Sequence, residues 1–445
     1  MKRRTRTAGL IGTLGLGVIL ATGAIFLAGR DRSAVDWRSL RAVAFESDDW
    51  GLAGFLPDAQ ALSGLDRDAL APGRFPDVYW GSTLEDSAQV GALTRVLAAA
   101  ARGRDGLPPV WQPNYVMGSL SWEDGARGGR WIRYDWPEFS PRYVRPGLPD
   151  AVDQAIGMGL WYPEYHAFTH YDPLRRIESV ASNGIAAEAA RRGIMLFPGS
   201  EGARELGPWR SRAELEAELD AGLARFASAF GRPVGSIIAP DYTWDRRCES
   251  IWESRGVRVI QAKREQRYLG REWGTAARIR KLVDQRLDRI LFPGRVYLER
   301  NCRFEPVQFP DPGAVALRCA QEVKRAWAAG SPAVVESHRI NFVHTDPQVI
   351  RAGLEALEDL LAELEGPGDL GPIYLTDIEI AGLMRNGTSS CVRGPWLVLR
   401  NGTRSGRILA VDPGNVGERE RQAGEEPPGS RFFLLPAGAV LLIPR

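Results

Sequence analysis

From about residue 40 to about residue 385, short apolar runs alternate along the chain with segments of helical periodicity. The apolar runs include 42–45, 236–239 and 332–336, and the helical segments include 86–102 and 212–230. Such alternation indicates βα units whose strands are parallel. A distorted barrel accommodates about seven or eight such strands better than two open sheets do. We therefore predict an α/β fold, a distorted (β/α) barrel of about seven strands.

Two adjacent carboxylates end the first of these strands. Residues 41–50 read R-A-V-A-F-E-S-D-D-W, so the apolar run passes directly into Asp48, Asp49 and Trp50. In parallel α/β barrels, ligands bind at the carboxyl ends of the strands. The stretch therefore predicts that these acids lie in a functional site, and the alternative is that Asp48 caps a turn or a helix.

The four histidines of the chain fall in two short clusters. His166 and His170 lie in E-Y-H-A-F-T-H-Y-D, after an apolar run at 156–165 that we predict to be a strand. His338 and His344 lie in E-S-H-R-I-N-F-V-H. Histidine is the commonest metal ligand and the usual acid or base near neutral pH. The clustering favours metal binding or catalysis over the alternative, which is burial of single histidines in a core.

In combination, these residue types predict hydrolysis of an amide or an ester. Two imidazoles and one carboxylate are a typical ligand set for a divalent ion such as zinc. His166 and His170 can supply the imidazoles and one of the two aspartates the carboxylate, which leaves the other aspartate free to act as a base. His338 is then the candidate acid that protonates the leaving group.

The amino terminus has the character of a membrane segment. Residues 8–29 are uncharged and mostly apolar, and a membrane span needs about 20 such residues. The basic residues before this stretch, which favour a cytoplasmic amino terminus, are Lys2, Arg3, Arg4 and Arg6. We predict that residues 1–32 are a basic tip and a single-pass transmembrane helix, with the catalytic domain periplasmic or extracellular. The alternative is a signal peptide cleaved near 21–23, which would make the protein secreted.

The character of the sequence changes after residue 385. Short apolar runs between Gly, Pro and Asn turns replace the helical pattern. We predict that residues 33–385 form the barrel and that residues 386–445 form a small all-β, sandwich-like module. The net charge of +2 argues against a nucleic-acid partner.

The cysteines do not form a C-x-x-C motif, so a zinc site made of thiolates is not expected. Disulfides are permitted in an exported chain, and buried free thiols are the alternative. The four residues are Cys248, Cys302, Cys319 and Cys391.

Four short motifs, in order along the chain, resemble those of the polysaccharide deacetylase family, which is carbohydrate esterase family four with the NodB-homology fold. They are E-S-D-D-W-G around Asp48, H-A-F-T-H from His166 to His170, A-P-D-Y from Ala239 to Tyr242, and E-S-H from Glu336 to His338. The resemblance covers roughly residues 40–385. It implies a distorted (β/α) barrel and metal-dependent deacetylation of an acetylated amino-sugar polysaccharide, by a divergent member of the family.

The resemblance also implies roles for individual residues. Asp48 would be the base and His338 the acid. The ligands of one divalent ion, zinc in the first place, with cobalt, nickel or manganese as alternatives, would be Asp49, His166 and His170. The backbone amide of Tyr242 would help to bind the oxyanion, and Trp50 and Asp241 are candidates for substrate contact. The family has an arginine where Ala239 stands here, and Arg339 is the candidate substitute.

Two other functions remain open at this level. A metal-independent glycoside hydrolase would pair Asp48 with Glu46 or Asp241. A catalytically inactive glycan-binding protein on the same fold would account for the missing arginine. Two further residues have no settled role: Asp245 either belongs to a fourth family motif or caps a helix, and His344 is either near the site or at the surface.

Overall fold

The structure is a computed structural model, which describes residues 35–53, 55–71, 76–123, 129–200, 204–263, 294–365, 371–411 and 431–445. The predicted membrane segment at 8–29 lies outside these residues. Within the described ranges, no helix is both long enough and apolar enough to cross a bilayer.

Strands and helices alternate through most of the described chain. The strands are β1 Ala42–Trp50, β2 Trp111–Val116, β3 Gly118–Glu123, β4 Arg130–Asp135, β5 Glu164–Ala167, β6 Ser236–Ile237, β7 Val259–Ala262, β8 Val296–Glu299, β9 Cys302–Arg303, β10 Ala333–His338, β11 Ile373–Tyr374, β12 Thr388–Arg393, β13 Trp396–Asn401, β14 Arg407–Val411, β15 Arg431–Leu435 and β16 Val440–Pro444. The helices are α1 Trp37–Leu40, α2 Arg67–Leu70, α3 Ser87–Ala99, α4 Leu148–Gly157, α5 Pro173–Ser182, α6 Gly184–Arg191, α7 Arg212–Phe230, α8 Arg246–Ser254, α9 Pro312–Ala329, α10 Pro347–Leu364 and α11 Asp377–Asn386.

The principal sheet is parallel and curled. Its strands follow the order β8-β7-β6-β5-β2-β1-β10-β9, and β11 pairs with the start of β1. The predicted α/β class and parallel strand arrangement are thereby confirmed. Because the strands are parallel, their carboxyl ends meet at one edge, which is where β1, β5 and β10 deliver the predicted acids and histidines.

One short segment joins the two edges of this sheet. Residues 296–299 pair with β7, whereas residues 302–303 pair with β10. Between them, the Arg300 N–H donates to the carbonyl of Ala262 at 2.9 Å, and the Asn301 N–H donates to the carbonyl of Val334 at 3.1 Å. The chain therefore steps from one edge strand to the other at Arg300, and the sheet takes the form of a curled half-barrel.

The longest predicted helix is confirmed, together with its caps. The side chain of Ser211 accepts from the Glu214 N–H, and Glu214 accepts from the Ser211 N–H, which is the capping box that this spacing predicts. The helix α7 ends at Gly231, which takes the left-handed conformation that glycine tolerates best.

The predicted strand at 156–165 is wrong in its first half. Residues up to Gly157 belong to α4, and β5 begins only at Glu164. Gly159 has a φ of +73°, and the Leu160 N–H donates to the Ala155 carbonyl at 3.1 Å, which ends the helix within the apolar run. An apolar run of this length does not by itself distinguish a helix end from a strand.

The carboxyl-terminal residues form antiparallel sheets. Strands β12, β13 and β16 make one sheet and β14 and β15 another, around a small core of their own. Arg400 joins them to the principal fold, because its Nε lies 2.7 Å from Glu379 and its Nη1 lies 2.6 Å from Asp105. The division of the chain into an anchor, a barrel and a β module stays a prediction. The four cysteines are buried and unpaired.

Candidate active site

Strand ends bring the predicted acids and histidines together at one edge of the sheet. Asp48 and Asp49 lie near the end of β1, and the Cα of Asp48 is in register with that of His338 at the end of β10. His166 lies in β5, and His170 follows that strand by three residues. The side chains of Asp48, His166 and His170 are almost completely buried. The site is therefore set into the sheet edge rather than spread over the surface.

Asp49, His166 and His170 form a compact cluster. The Oδ1 of Asp49 lies 3.4 Å from the Nε2 of His166 and 3.3 Å from the Nε2 of His170. One ligand atom of each residue lies within 4.8 Å of the other two. One carboxylate and two imidazoles are a donor set that divalent zinc accepts, with room for a further ligand.

The hydrogen bonding of His166 supports a cation at this cluster. Its Nδ1 lies 3.1 Å from the carbonyl of Ile238, which only accepts, so Nδ1 carries a proton. In the neutral ring, Nε2 then carries a lone pair, which faces the carboxylate of Asp49. Two acceptors at this distance require a positive charge between them, which either a second proton or a metal ion supplies. Fixing a ligand histidine through its other nitrogen is common in metal sites.

Electrostatics keep Asp49 ionised. Burial opposes ionisation, but its contacts with His166 and His170 hold the pKa of Asp49 well below its usual range. The same burial lowers the pKa of His170, which favours the neutral ring that binds metal. The charges of Asp49 and His170 thus suit ligation of a cation. Burial opposes the charged ring of His166, but Asp49 and Asp48 outweigh it and raise the pKa of His166, so a bound cation would displace a proton there.

The backbone is strained where it carries these groups. Among the described residues other than glycine, all but one of those with positive φ lie at the site: Asp49 at +70°, His170 at +66°, Asp241 at +53° and Tyr242 at +55°. The remaining one is Arg41. Residues with side chains seldom adopt this conformation, and such outliers concentrate at functional sites.

Asp48 is held by a buried arginine that the sequence analysis missed. Arg300 binds it with both ends of the guanidinium: Nη1 donates to Oδ2 at 2.6 Å and Nη2 to Oδ1 at 2.7 Å. Asn114 donates to Oδ1 as well, at 2.8 Å. Burial opposes ionisation of Asp48, but Arg300 outweighs it and holds the pKa of Asp48 well below its usual range.

Arg300 is itself fully enclosed. Its Nε donates to Glu46 at 2.5 Å, its Nη2 to Gln261 at 2.7 Å, and its Nη1 to the hydroxyl of Tyr242 at 3.0 Å. It reaches the interior because the chain crosses between the sheet edges at this residue. No sequence motif marks it, since the register of a crossing between two short strands is a property of the assembled sheet.

The expectation that Arg339 replaces the absent family arginine is therefore corrected. Arg339 is fully buried, and its Nη1 donates at 2.9 Å both to Glu85 and to the carbonyl of Leu52. Arg300, not Arg339, supplies the guanidinium for Asp48.

His338 faces Asp48 across the site. Its Nδ1 lies 2.5 Å from the Oε1 of Glu305, which accepts, and its Nε2 lies 3.9 Å from the Oδ2 of Asp48. Burial disfavours the charged ring, but Glu305, with Asp48 behind it, raises the pKa of His338 to about 10. Glu305 is fixed in turn by Asn341 at 2.8 Å and Gln308 at 2.9 Å. His338 thus stands at the site as a protonated, oriented donor.

Two predicted substrate contacts are contradicted. Trp50 is fully buried, packs edge-on against Trp161, and donates its indole N–H to Ser47 at 2.9 Å. It is part of the core because it still belongs to β1, where it pairs with Tyr115 of β2. The amide of Tyr242 donates to the carbonyl of Ala239 at 3.0 Å, so it is occupied within its own turn rather than free for an oxyanion.

The remaining candidates have local partners. Asp241 is half-exposed and accepts from the Nε of Arg204 at 2.6 Å. Asp245 caps α8, which is the alternative that its position allowed. The Nδ1 of His344 accepts from the Asp346 N–H at 2.9 Å, so its Nε2 donates to the carbonyl of Val78 at 3.0 Å, and both nitrogens are used structurally.

Comparison with known proteins gives structural likeness only. No family model matches the sequence. No curated protein matches it either. Solved structures that match include a protein from Mycobacterium smegmatis that is described as a polysaccharide deacetylase. It has 11% identity and a TM-score of 0.33, and the match covers 75% of this chain and 86% of the other.

Two further matches are a CE4 family pseudoenzyme from Bacillus anthracis and the carbohydrate deacetylase Agd3. The pseudoenzyme has 9% identity, a TM-score of 0.31, and coverage of 73% of this chain and 60% of its own. Agd3 has 9% identity, a TM-score of 0.38, and coverage of 82% of this chain and 58% of its own. The family that the motifs resemble is thus represented among the structural matches, which also include an α-amylase from Anoxybacillus. TM-scores below 0.5 leave the function to be argued from the site itself.

Proposed function

We propose that this chain is a metal-dependent hydrolase that removes N- or O-acetyl groups from a polysaccharide of acetylated amino sugars. The observation that supports this most strongly is the Asp49, His166 and His170 cluster beside an Asp48–Arg300 pair and a His338–Glu305 pair. Each component of a metal-assisted hydrolysis thereby has a residue in place.

Asp49, His166 and His170 would hold the divalent ion, zinc in the first place, with cobalt, nickel or manganese as alternatives. Such an ion supplies a Lewis acid that polarises a carbonyl group and acidifies a water molecule. The strained conformations of Asp49 and His170 hold the ligand atoms in place before any ion arrives.

Asp48 is the proton acceptor in this proposal, and Oδ2 is the atom that receives the proton. Oδ1 already accepts two hydrogen bonds, one from Arg300 and one from Asn114, whereas among the described residues Oδ2 accepts only that of Arg300. Because Arg300 keeps the pKa of Asp48 low, Asp48 is ionised at neutral pH and takes protons only from an acidified donor.

His338 is the proton donor to the leaving group. Glu305 accepts from Nδ1, so the second N–H, on Nε2, points toward Asp48 and the open part of the site. The ring remains partly exposed, at 24%, which lets it reach a substrate. Glu305 thereby both orients the ring and keeps it protonated.

Contacts at the site argue against both alternatives, the glycoside hydrolase and the inactive glycan-binding protein. The two possible partners of Asp48 in a glycoside hydrolase are engaged elsewhere, since Glu46 is buried against Arg300 and Asp241 pairs with Arg204. The inactive alternative depended on a missing arginine, and Arg300 now stands beside Asp48.

We include in the proposal a location outside the cytoplasm. Residues 8–29 would span the membrane and leave the catalytic domain on the far side, where polysaccharides lie. Cleavage of the same segment would place the same domain outside as a secreted protein.

Acetate release tests the proposed function. We expect the full-length chain, loaded with Zn²⁺ or Co²⁺, to release acetate from acetylated amino-sugar polysaccharides. The variant Asp49→Ala should lose more than the ~10–100-fold that removal of an outer-shell partner causes, because it removes a ligand itself. The matched control is Asp245→Asn, which changes a carboxylate to an amide but keeps the helix cap.

Other products would redirect the assignment. New reducing ends without acetate would indicate glycoside hydrolysis. Binding of the polysaccharide with neither product, in a metal-loaded chain, would indicate the inactive glycan-binding alternative.

A further inference from the structure

Glu205 accepts hydrogen bonds from three consecutive backbone amides of the loop that carries His170. Its Oε1 accepts from the Phe168 N–H at 3.0 Å, and its Oε2 accepts from the Thr169 N–H at 2.6 Å and the His170 N–H at 2.8 Å. Glu205 is almost completely buried. Three N–H groups that converge on one carboxylate form an anion-binding concavity of the kind that left-handed turns create.

This loop needs such support because His170 has a φ of +66°. A residue with a Cβ is disfavoured in this conformation, and it persists only where surrounding contacts impose it. Glu205 holds both peptide groups that flank this residue, because its carboxylate accepts from the His170 N–H at 2.8 Å and its own N–H donates to the His170 carbonyl at 3.3 Å. The carboxylate and the strained turn therefore stabilise each other, and the imidazole of His170 is aimed at Asp49 as a result.

The neighbouring residue braces the other strained turn of the site. The Nε of Arg204 donates to Asp241 at 2.6 Å, and its guanidinium lies 5.1 Å from the ring centre of Tyr171. Arg204 also forms a β-bridge with Tyr171. Two adjacent residues, Arg204 and Glu205, thus tie together the turns at His170 and at Asp241.

We propose that Glu205 is a positioning residue, which fixes the backbone of His170 so that its Nε2 can bind a divalent cation. The inference rests on the proposed function, since it concerns the same candidate metal site. It adds a residue that lies in none of the motifs and that contacts His170 through backbone groups rather than through the imidazole.

A binding titration with Co²⁺ alone tests this role in the full-length chain in detergent micelles. We expect Glu205→Gln to bind Co²⁺ at least about 10-fold more weakly than the wild type. The visible absorption spectrum of its bound Co²⁺ should also change, because glutamine replaces one acceptor oxygen with an NH₂ group that opposes the loop amides.

The chain contains a matched control in Glu164. This carboxylate is also completely buried and also accepts from backbone amides, those of Gly235 at 3.1 Å and Ser236 at 2.8 Å. It lies at the opposite end of β5 from His170. We expect Glu164→Gln to keep Co²⁺ affinity within about threefold of the wild type, since it removes a similar buried charge without touching the ligand loop.

The outcomes separate this proposal from the proposed function. Equal Co²⁺ affinity and an unchanged spectrum in a folded Glu205→Gln variant would overturn the positioning role and leave the metal site intact. A wild-type chain that binds no Co²⁺ would contradict the proposed function.

In that case, amide hydrogen exchange in the metal-free protein tests the positioning role. Faster exchange at residues 168–170 in the variant would support the role, and unchanged exchange would overturn it. If Glu205→Gln does not fold, Glu205→Asp takes its place in both measurements. Aspartate keeps the charge but is one methylene shorter, so its oxygens lie farther from the loop amides.

Discussion

Replacing Arg300 with methionine is expected to lower the free energy of unfolding by about 3–5 kcal/mol at neutral pH. The guanidinium is fully buried and is the shared partner of Glu46 and Asp48, which are also buried. Methionine fills a similar volume but leaves the ionised Asp48 without its counter-charge and Glu46 without its hydrogen-bond donor, and breaking a buried ion pair from one side is strongly destabilising. Urea unfolding of the wild type and the variant measures the difference.

A double variant shows whether the loss comes from unpaired charge. Adding Asp48→Asn to Arg300→Met removes the stranded charge, so we expect it to recover part of the lost stability, by roughly 0.5–3 kcal/mol. A loss below about 1 kcal/mol in Arg300→Met would contradict the inference that Arg300 is the buried counter-charge of Asp48.

The pH dependence of this stabilisation has a definite sign. The pKa of Asp48 is lower in the folded chain than in the unfolded chain, so its ionised form contributes stability above the unfolded pKa, about 3.9. This contribution is lost as the pH falls through the folded pKa. The advantage of the wild type over Arg300→Met should therefore be full at neutral pH and should shrink in acid.

Replacing His338 with glutamine is expected to reduce acetate release by about 10²–10⁴-fold, the usual contribution of a positioned acid. In the wild type, Nδ1 of His338 lies 2.5 Å from the Oε1 of Glu305. The amide of glutamine can donate to Glu305 in its place, so Glu305 keeps a hydrogen-bond partner. His338 is not among the proposed ligands, so the metal content should not change. Steady-state rates and metal analysis of the same sample measure both quantities.

The pH profile distinguishes an acid from a purely structural histidine. Glu305 raises the pKa of His338 to about 10, after burial has opposed it. The protonated ring stabilises the folded chain fully below its unfolded pKa, about 6.5, and this contribution is lost as the pH rises through about 10. Glu305→Gln should shift the alkaline limit of activity to lower pH. An unchanged alkaline limit together with an active His338→Gln variant would assign the leaving-group proton to another donor.

The sequence predicted the residues whose position depends on strand ends. Alternation of apolar runs with helices implies a parallel sheet, and a parallel sheet brings the ends of β1, β5 and β10 to one edge. Asp48, Asp49, His166, His170 and His338 each follow or end such a run, so their meeting could be anticipated from chain order alone.

Residues that act through long-range register could not be predicted in this way. Arg300 reaches Asp48 because the chain changes sheet edge at that residue, and nothing in the neighbouring sequence shows where a strand pairs. Glu205 supports His170 through backbone amides, which leave no trace in side-chain patterns. Arg339 directly follows His338 in the sequence, but the turn after β10 directs its guanidinium to Glu85.

Metal content of the purified full-length chain tests the central claim most directly. Elemental analysis of the wild type, beside Asp49→Ala and His166→Ala, counts the ions bound per chain. We predict about one divalent ion in the wild type and its loss in both variants, because each removes one of three ligands from a single site. A wild-type chain without a bound ion, even after reconstitution with zinc or cobalt, would contradict the metal-dependent mechanism.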